Sequence, residues 1–338
     1  MRILMVTDAW RPQINGVVHT LERLSETLVG YGVETRFLTP QGFPTLPLPT
    51  YPDIRLALTT PGKVARLIEA ERADHIHIVT EGPLGLMARR HCRRTGRPFT
   101  TSYHTRFPEY LSARLPVPEA WAYRWLRAFH NSGQGTLVAT KSLAEDLRAR
   151  GFNRLKPWTR GVDTTLFRPD RGKRLPFARP LFLCVGRIAV EKNLPAFLDL
   201  DLPGSKVLVG EGPELDKLKA RYPGAHFLGR LPVEDLADIY ASADVFVFPS
   251  RTDTFGNVII EALASGTPVA AYPVTGPIDI VGDGVGGIVS DDLGRAALEA
   301  LSVPRTDALV KAAGYTWSAC AEQFLDTVRE ALRCKAAP

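Results

Sequence analysis

The sequence predicts an α/β protein built from two successive doubly wound parallel sheets. Its 338 residues suffice for two domains of ordinary size, each with its own core. Strand-length apolar runs alternate with helical patterns almost throughout, an order typical of parallel sheets joined by crossover helices. A basic segment with two prolines at 173–180 is typical of a linker. We therefore expect domains at 1–172 and 173–316, followed by a C-terminal helical segment at 317–338.

The first series of elements opens with a short apolar strand and an amphipathic helix. One stripe of that helix consists of Val17, Leu21, Leu24 and Leu28. The predicted strands are Ile3–Val6, Glu34–Leu38, His75–Val79, Phe99–Ser102 and Leu137–Ala139. Ligands of such sheets bind at the carboxyl ends of the strands, so a cleft between the two domains is the expected site.

The second series repeats the same alternation. Its predicted strands are Leu181–Val185, Lys206–Val209, His226–Leu228, Val245–Phe248 and Val269–Ala271. Its predicted helices are Pro213–Arg221, Val233–Ala241 and Asn257–Ser265. The last helical stretch, Trp317–Arg333, comes after the second sheet. It is compatible with packing on its own domain and with crossing back to brace the first.

Composition and charge exclude several classes of protein. No apolar run approaches the roughly 18 residues of a spanning helix, and the apolar start breaks at Asp8, too early for a signal peptide. The four cysteines lack CxxC spacing, which favours a reducing cytoplasm over secretion or a zinc site. Residues 1–170 hold 24 Lys and Arg against 15 Asp and Glu, whereas 171–338 hold 18 against 21. The basic half predicts an anionic partner, either nucleic acid or a membrane surface; solubility alone is the alternative.

The segment 249–268 carries the first functional pattern. A buried strand ends at Pro249, a polar loop follows, and a helix begins near Asn257. This order puts free backbone N–H groups and a positive helix end at the mouth of the sheet, a site suited to phosphate or sugar oxygens. Glu261, one turn into the helix, offers a carboxylate that accepts hydrogen bonds from two vicinal hydroxyls. On spacing alone, a surface position on the helix explains Glu261 equally well.

Two further loops follow the first strand of each domain. At 186–193, the planar fork of Arg187 and the mobile charge of Lys192 suit a pyrophosphate, the alternative being an exposed ion pair with Glu191. In the first domain, Gly16 lets a ligand approach the backbone closely where the first helix begins.

His104 follows a strand end and precedes a proline-containing loop, which argues against a place in the core; a loop histidine without a ligand is the alternative. Together with residues 158–164 and the loops above, this segment resembles retaining GT-B glycosyltransferases of family 4. The resemblance spans nearly the whole chain, with the motifs in the expected order. It is closest to a lipid-directed branch that includes sulfoquinovosyl-diacylglycerol synthases and GDP-mannose-dependent alpha-mannosyltransferases.

The resemblance implies two Rossmann-like domains that face a central cleft. It assigns an acidic-x7-acidic motif in which Glu261 holds the nucleotide ribose and Asp253, where the family usually has Glu, holds donor-sugar hydroxyls. Arg187 and Lys192 would bind the diphosphate, and His104 would contact the donor sugar near the reacting carbon. The catalytic residues implied are His104, Arg187, Lys192 and Asp253. The donor-binding residues implied are Gly16, Val17, Arg187, Lys192, Asp253, Thr254, Phe255, Gly256, Asn257 and Glu261.

Aromatic residues recur at every fourth position in a basic stretch, at Trp121, Trp125 and Phe129. A core-facing stripe is the commoner explanation of this spacing. The alternative is an interfacial helix beside a lipid acceptor, supported by nearby arginines. These arginines are Arg89, Arg90, Arg93, Arg94 and Arg97.

No metal or cofactor is expected. Asp199-Leu200-Asp201 fits a DxD metal pattern but lies before a strand, and the GT-B enzymes that the chain resembles need no bound metal. The GxGxxG match at 282–287 precedes a strand-like run where a helix is required.

We therefore expect a hexosyltransferase that uses a nucleoside diphosphate sugar, GDP-mannose or a UDP-hexose. The expected acceptor is a lipid such as a diacylglycerol or glycolipid, met by a cytoplasmic protein bound peripherally to the inner face of the cell membrane. A lipopolysaccharide or other saccharide acceptor stays open, as does the oligomeric state. Alternatives of other classes are a non-catalytic nucleotide-sugar-binding protein and a nucleic-acid-binding protein. The last is disfavoured because the basic residues are scattered over helices without a reading motif.

Overall fold

A computed structural model of the chain describes residues 1–11, 16–48, 51–112 and 118–336. The chain divides into two compact units. The first unit combines Met1–Arg160 with Trp317–Pro338, and the second is Gly161–Thr316. The first boundary thus lies earlier than the expected one at 172, and the C-terminal segment groups with the first unit. Within the described ranges, no helix combines the length and apolar composition needed to cross a bilayer.

The first unit contains a parallel sheet and a short antiparallel hairpin. The described strands are β1 (Arg2–Val6), β2 (Glu34–Leu38), β3 (Thr45–Leu48), β4 (Tyr51–Ala57), β5 (His75–Ile78), β6 (Phe99–Tyr103), β7 (Thr136–Val138) and β8 (Leu155–Pro157). The parallel sheet has the order β2-β1-β5-β6-β7-β8, and β3 pairs with β4. The hairpin was not predicted from the sequence. Its strands contain prolines, which remove backbone donors and weaken the strand pattern.

Helices cover both faces of the first sheet. The described ones are α1 (Gly16–Val29), α2 (Pro61–Ala70), α3 (Pro83–Thr95), α4 (Phe107–Ser112), α5 (Glu119–His130) and α6 (Lys141–Ala149), with a final helix at Trp317–Ala336. In α1, Leu21, Leu24 and Leu28 are fully buried, as the stripe predicts, whereas Val17 is half-buried.

The final helix of the chain completes the core of the first unit. Phe324 and Val328 on this helix are fully buried in one cluster with Ile3 of β1, Leu21 of α1 and Trp158. The rings of Phe324 and Trp158 lie 5.9 Å apart between centroids. Both faces of the sheet at β1 are buried, so each face needs a covering layer of helices. On the face that contains Ile3, the final helix contributes to that layer.

The second unit is also an α/β structure with a parallel sheet. Its described strands are β9 (Leu181–Val185), β10 (Ser205–Val209), β11 (His226–Phe227), β12 (Val245–Phe248), β13 (Val269–Ala271) and β14 (Gly287–Val289). Its described helices are α7 (Pro195–Leu198), α8 (Leu215–Arg221), α9 (Val233–Ser242), α10 (Asn257–Ala264), α11 (Pro277–Val281), α12 (Leu293–Ala300) and α13 (Arg305–Ala312), and the final helix Trp317–Ala336 is α14. Short 3-10 turns lie at Pro169–Arg171 and Val190–Lys192.

The strand order of the second sheet is β11-β10-β9-β12-β13-β14. The chain moves outward from β9 through β10 to β11, then returns to the other side of β9 and moves outward again from β12. The loops that leave β9 and β12 therefore run in opposite directions and open a crevice at their carboxyl ends. All ten predicted strands are present, with ends that differ by a residue or two.

Candidate active site

An asparagine side chain joins the loops after β9 and β12 at the switch point of the second sheet. Asn193 ends the 3-10 turn Val190–Lys192 in the left-handed conformation, with φ of 51°. Its side-chain Nδ2 donates a hydrogen bond of 3.1 Å to the carbonyl oxygen of Pro249. Asn tolerates this conformation better than most residues. It therefore positions Lys192, which directly precedes it, against the loop after β12.

Lys192 and Asp253 form an ion pair across this junction. Lys192 Nζ lies 2.6 Å from Asp253 Oδ1, and both side chains are mostly buried. Arg187 lies on the same loop as Lys192 and is half-buried. The cation expected to bind phosphate and the carboxylate expected to bind sugar hydroxyls are thus direct neighbours. Lys192 thus pairs with a residue of the predicted site. The alternative interpretation predicted instead an exposed ion pair with Glu191 for the cations of this loop.

The loop after β12 leads into the N-terminus of α10. Gly256 precedes the helix with φ of 90°, and a Cβ there would lie 3.0 Å from Ile259 Cδ1, so both conformation and space favour glycine. Glycine has no side chain that could cap the first N–H groups of the helix. Thr254 and Asn257 are half-buried beside it. Phe255 is only 4% exposed and packs edge-on against Tyr315, so it offers the loop its backbone alone.

Glu261 lies on α10 and is held by a residue that the sequence analysis did not single out. Tyr240 on α9 donates a hydrogen bond of 3.0 Å from its hydroxyl to Glu261 Oε2. Burial raises the pKa of Glu261 to about 7, and the hydrogen bond from Tyr240 acts in the opposite direction. A surface position for Glu261 is therefore wrong, because the carboxylate is partly enclosed. No motif signals Tyr240, since its role depends on how α9 packs against α10.

In the first unit, Gly16 and Val17 begin α1. Residues 12–15 of the predicted loop lie outside the described residues. Asp8, on the same connection, is 4% exposed and accepts hydrogen bonds from the backbone N–H groups of Leu84 (2.9 Å) and Gly85 (3.3 Å) at the start of α3. Asp8 therefore has a structural role, because it connects the end of β1 to the start of α3.

His104 follows β6 and contacts the segment that was grouped with it by sequence resemblance. Its ring meets Trp158 edge-on at 5.6 Å, and its Nδ1 lies 3.5 Å from Arg160 Nη2. Burial, then the charge of Arg160, holds the pKa of His104 well below 6.5, so the ring is neutral. Arg160 is buried and donates to the carbonyl oxygens of Trp158 (2.7 Å) and Thr159 (3.1 Å). Its proximity to His104 was not predicted, because 56 residues separate them in the chain.

The aromatic stripe on α5 divides between core and surface. Phe129 is buried, whereas Trp121 is 72% exposed and Trp125 is 42% exposed. Arg89 of α3 joins the two helices by donating to Ser132 Oγ (2.7 Å) and to the carbonyl oxygen of Ala128 (2.8 Å). Five of the exposed residues of these two helices are together called the Trp–Arg face: Arg90, Arg93, Arg94, Trp121 and Trp125.

Comparisons with known proteins agree with this geometry. Residues 14–166 match the family model "Glycosyltransferase Family 4", and residues 179–302 match "Glycosyl transferases group 1". A GDP-mannose-dependent alpha-mannosyltransferase of Mycobacterium tuberculosis is 31% identical over 307 residues, which cover 83% of this chain and 81% of that protein. An alpha-monoglucosyldiacylglycerol synthase of Streptococcus pneumoniae is 26% identical, covering 89% of this chain and 78% of that protein.

Solved structures show the same architecture. The sucrose-phosphate synthase of Thermosynechococcus elongatus superimposes with a TM-score of 0.77 at 19% identity, covering 99% of this chain and all of that chain. With two parallel α/β units and polar loops at the strand ends, the fold is GT-B, as the resemblance implied. The chain belongs to glycosyltransferase family 4 and is a hexosyltransferase.

Proposed function

We propose that this chain moves a hexosyl group, with retention of anomeric configuration, from a nucleoside diphosphate sugar to a lipid acceptor. The observation that carries the proposal is the ion pair of Lys192 with Asp253 at 2.6 Å, between the loops that follow β9 and β12. The loop after β9 also carries Arg187. The cation of Lys192, suited to a diphosphate, is thus in direct contact with the carboxylate of Asp253, suited to sugar hydroxyls.

Binding of a donor would exchange partners within this cluster. The diphosphate competes with Asp253 for Lys192, and the released carboxylate then accepts hydrogen bonds from hydroxyls of the sugar. As the bond between the anomeric carbon and the phosphate oxygen breaks, negative charge grows on the leaving phosphate next to Arg187 and Lys192. The acceptor oxygen bonds the same face of the anomeric carbon, and its proton passes to the leaving phosphate. The chain thus supplies positioning and charge stabilisation.

GDP-mannose is the donor that the proposal places first, and a UDP-hexose second. The support is the 31% identity to an alpha-mannosyltransferase that depends on GDP-mannose. Glu261 would accept hydrogen bonds from the ribose hydroxyls, which both nucleotides share. The proposal requires no metal ion, because Arg187 and Lys192 would supply the positive charge that neutralises the diphosphate. Turnover in EDTA equal to turnover in magnesium is the expected result.

A membrane lipid is the proposed acceptor, which would place the protein peripherally on a cytoplasmic membrane surface. The Trp–Arg face combines two exposed tryptophans with three exposed arginines, the chemistry that binds an anionic bilayer. Each basic residue near such a surface contributes about 1 kcal/mol, so Arg93→Ser combined with Arg94→Ser should weaken vesicle binding roughly ten- to thirty-fold. Val310→Ala, which truncates an exposed apolar residue of the second unit, is the control and should change nothing.

The decisive experiment supplies purified protein with radiolabelled GDP-mannose or UDP-glucose and anionic vesicles that contain or lack diacylglycerol. We expect a labelled glycolipid that depends on diacylglycerol, with an α-linkage by NMR. A β-linked product would refute retention, and labelled saccharide in a lipopolysaccharide extract alone would refute the lipid acceptor. Donor binding with neither transfer nor donor hydrolysis would favour a non-catalytic binding protein.

A further inference from the structure

Tyr240 is a fully buried phenol whose ring is fixed from two sides. Its centroid lies 5.8 Å from the ring of Phe167 and 5.6 Å from that of Phe246 on β12. The carbonyl oxygen of Tyr240 accepts a hydrogen bond from Thr267 Oγ1, which also fixes the backbone at this point of α9. A ring packed in this way has one orientation, so its hydroxyl group has one position.

That position is within hydrogen-bond distance of Glu261. The hydroxyl donates to Glu261 Oε2 over 3.0 Å. Burial raises the pKa of Tyr240 well above 10, so the phenol keeps its proton and acts as a donor at any physiological pH. A carboxylate accepts about four hydrogen bonds, so a single donor on Oε2 leaves accepting capacity for two further hydroxyls.

We propose that Tyr240 is a positioning residue that holds the Glu261 carboxylate in one orientation for the ribose hydroxyls of the donor. The inference deepens the proposed function and rests on the ribose role of Glu261 given there. The acidic-x7-acidic motif accounts for Glu261 alone. The tyrosine comes from a different helix, 21 residues away in the chain.

The charges around α10 leave Tyr240 as the group that tunes this carboxylate. The described elements that pack against α10 are α9, α11, α13, β12 and β13. Of the charged side chains on α9 and α13, Asp238 pairs with Arg171, Lys311 pairs with Asp283, and Arg305 donates to backbone carbonyl oxygens. Glu234 and Asp235 at the start of α9 are exposed to solvent, and Asp307 accepts from Thr306 Oγ1. On α11, Asp279 accepts from the backbone N–H of Gly276. Burial raises the pKa of Glu261 to about 7, and the hydrogen bond from Tyr240 opposes that rise.

The test compares Tyr240→Phe with Tyr222→Phe by calorimetry. Tyr222 also donates to a carboxylate in the second unit, Asp199 at 2.7 Å, but at an exposed site, so it is a matched control. GDP and inorganic pyrophosphate serve as probes, since pyrophosphate lacks the ribose. Loss of a hydrogen bond to a charged group should weaken GDP binding by Tyr240→Phe roughly ten-fold at pH 7. Pyrophosphate binding by this variant, and both probes with Tyr222→Phe, should be unchanged.

The pH profile separates positioning from a purely structural role. Without the phenol donor the pKa of Glu261 rises further, so the GDP affinity of Tyr240→Phe should recover in part between pH 7 and 8.5. In steady-state assays, KM for the donor should rise with little change in kcat. In a Glu261→Gln background, adding Tyr240→Phe should change GDP affinity by less than about two-fold, because the charged partner is already absent.

Distinct results overturn the inference and the proposed function. If Glu261→Gln weakens GDP binding but Tyr240→Phe leaves it unchanged at every pH, Tyr240 is not a positioning residue and the proposed function stands. If Glu261→Gln leaves GDP binding unchanged, the ribose role itself is wrong. If Tyr240→Phe loses pyrophosphate binding through misfolding, Glu261→Asp takes its place, since it withdraws the carboxylate from an intact phenol. Wild-type GDP affinity in Glu261→Asp would then overturn the inference.

Discussion

The two units share one architecture but place ionisable groups with shifted pKa values at different points of it. In the first, burial lowers the pKa of His75 to about 3 and holds that of His77 well below its usual value. In the second, burial raises the pKa of Glu261 to about 7. His77 bonds through both ring nitrogens to Thr100 and Ser102 on the next strand, inside the sheet. Glu261 instead lies on a helix that begins at the carboxyl edge of its sheet, where ligands bind.

The difference teaches that the fold alone does not decide where polar groups serve chemistry. His75 and His77 of β5 form hydrogen bonds with Thr100 and Ser102 on the next strand. These neutral rings therefore serve the packing of the sheet. Carboxylates and cations at strand ends face loops that a ligand can reach, so their charge is available for binding. Each of the following experiments tests one side of this contrast.

The largest effect is expected from the packing of the first unit. Phe324→Ala removes a fully buried ring from the cluster shared by α14 and β1. Large-to-small changes of this kind cost about 3–5 kcal/mol of unfolding free energy. All five tryptophans lie in the first unit, so urea unfolding followed by tryptophan fluorescence reports on it. Val310→Ala, on the exposed surface of the second unit, should leave this transition in place; equal transitions for both variants would show that α14 is dispensable.

The next effect concerns the cations of the second unit. Lys192→Ala or Arg187→Ala should reduce turnover roughly 10²–10³-fold, because each removes a partner of the charge that develops on the leaving phosphate. The fluorescence transition of the first unit should not move. Lys217→Ala, at an exposed ion pair with Glu214, is the control. Near-normal turnover in both test variants would contradict the assignment of this cluster to the diphosphate.

Acid should destabilise the first unit through its histidines. His75 and His77 have folded pKa values below the unfolded value of about 6.5, so the unfolded state binds more protons as pH falls below that value. Between pH 7.5 and 5.5 we expect a loss of about 1.4 kcal/mol for each histidine. The urea midpoint by tryptophan fluorescence measures this loss. A midpoint that does not change over this range would show that the histidines are protonated in the fold.

The smallest effect is expected in the second unit and has the opposite sign with pH. The folded pKa of Glu261 lies above its unfolded value near 4.5, so the folded state binds more protons and stability declines as pH rises from 4.5 through 7. Glu261→Gln removes this loss and should add about 2 kcal/mol at pH 6 but little at pH 4.5. The gain in stability is measured by urea unfolding followed by far-UV circular dichroism. The relevant transition is that of the second unit, which tryptophan fluorescence does not follow. Equal gains at both pH values would argue against a titrating carboxylate.

Much of the site was predictable because parallel strands bring their carboxyl ends to one edge. Arg187, Lys192, Asp253 and Glu261 all follow strands β9 and β12, and their shared edge follows from strand order alone. Direct pairing of Lys192 with Asp253 was not predicted, since periodicity does not reveal side-chain distances across two loops.

The remaining surprises come from contacts between helices. The bond from Tyr240 to Glu261 depends on the packing of α9 against α10, which no local pattern encodes. On α5, spacing by four residues advances about 40° per step beyond a full turn, so Phe129 is rotated by about 80° from Trp121. This rotation explains why Phe129 enters the core while Trp121 stays exposed.

The first unit is made of two stretches of chain, with all of Gly161–Thr316 between them. On the ribosome, β1 to β8 are therefore synthesised well before α14, because the whole second unit lies between them in the chain. Until then the nascent chain carries an uncovered apolar surface around Ile3, Leu21 and Trp158, the kind of surface that recruits chaperones or aggregates. A helix synthesised after the second unit thus completes the core of the unit that precedes it in the chain.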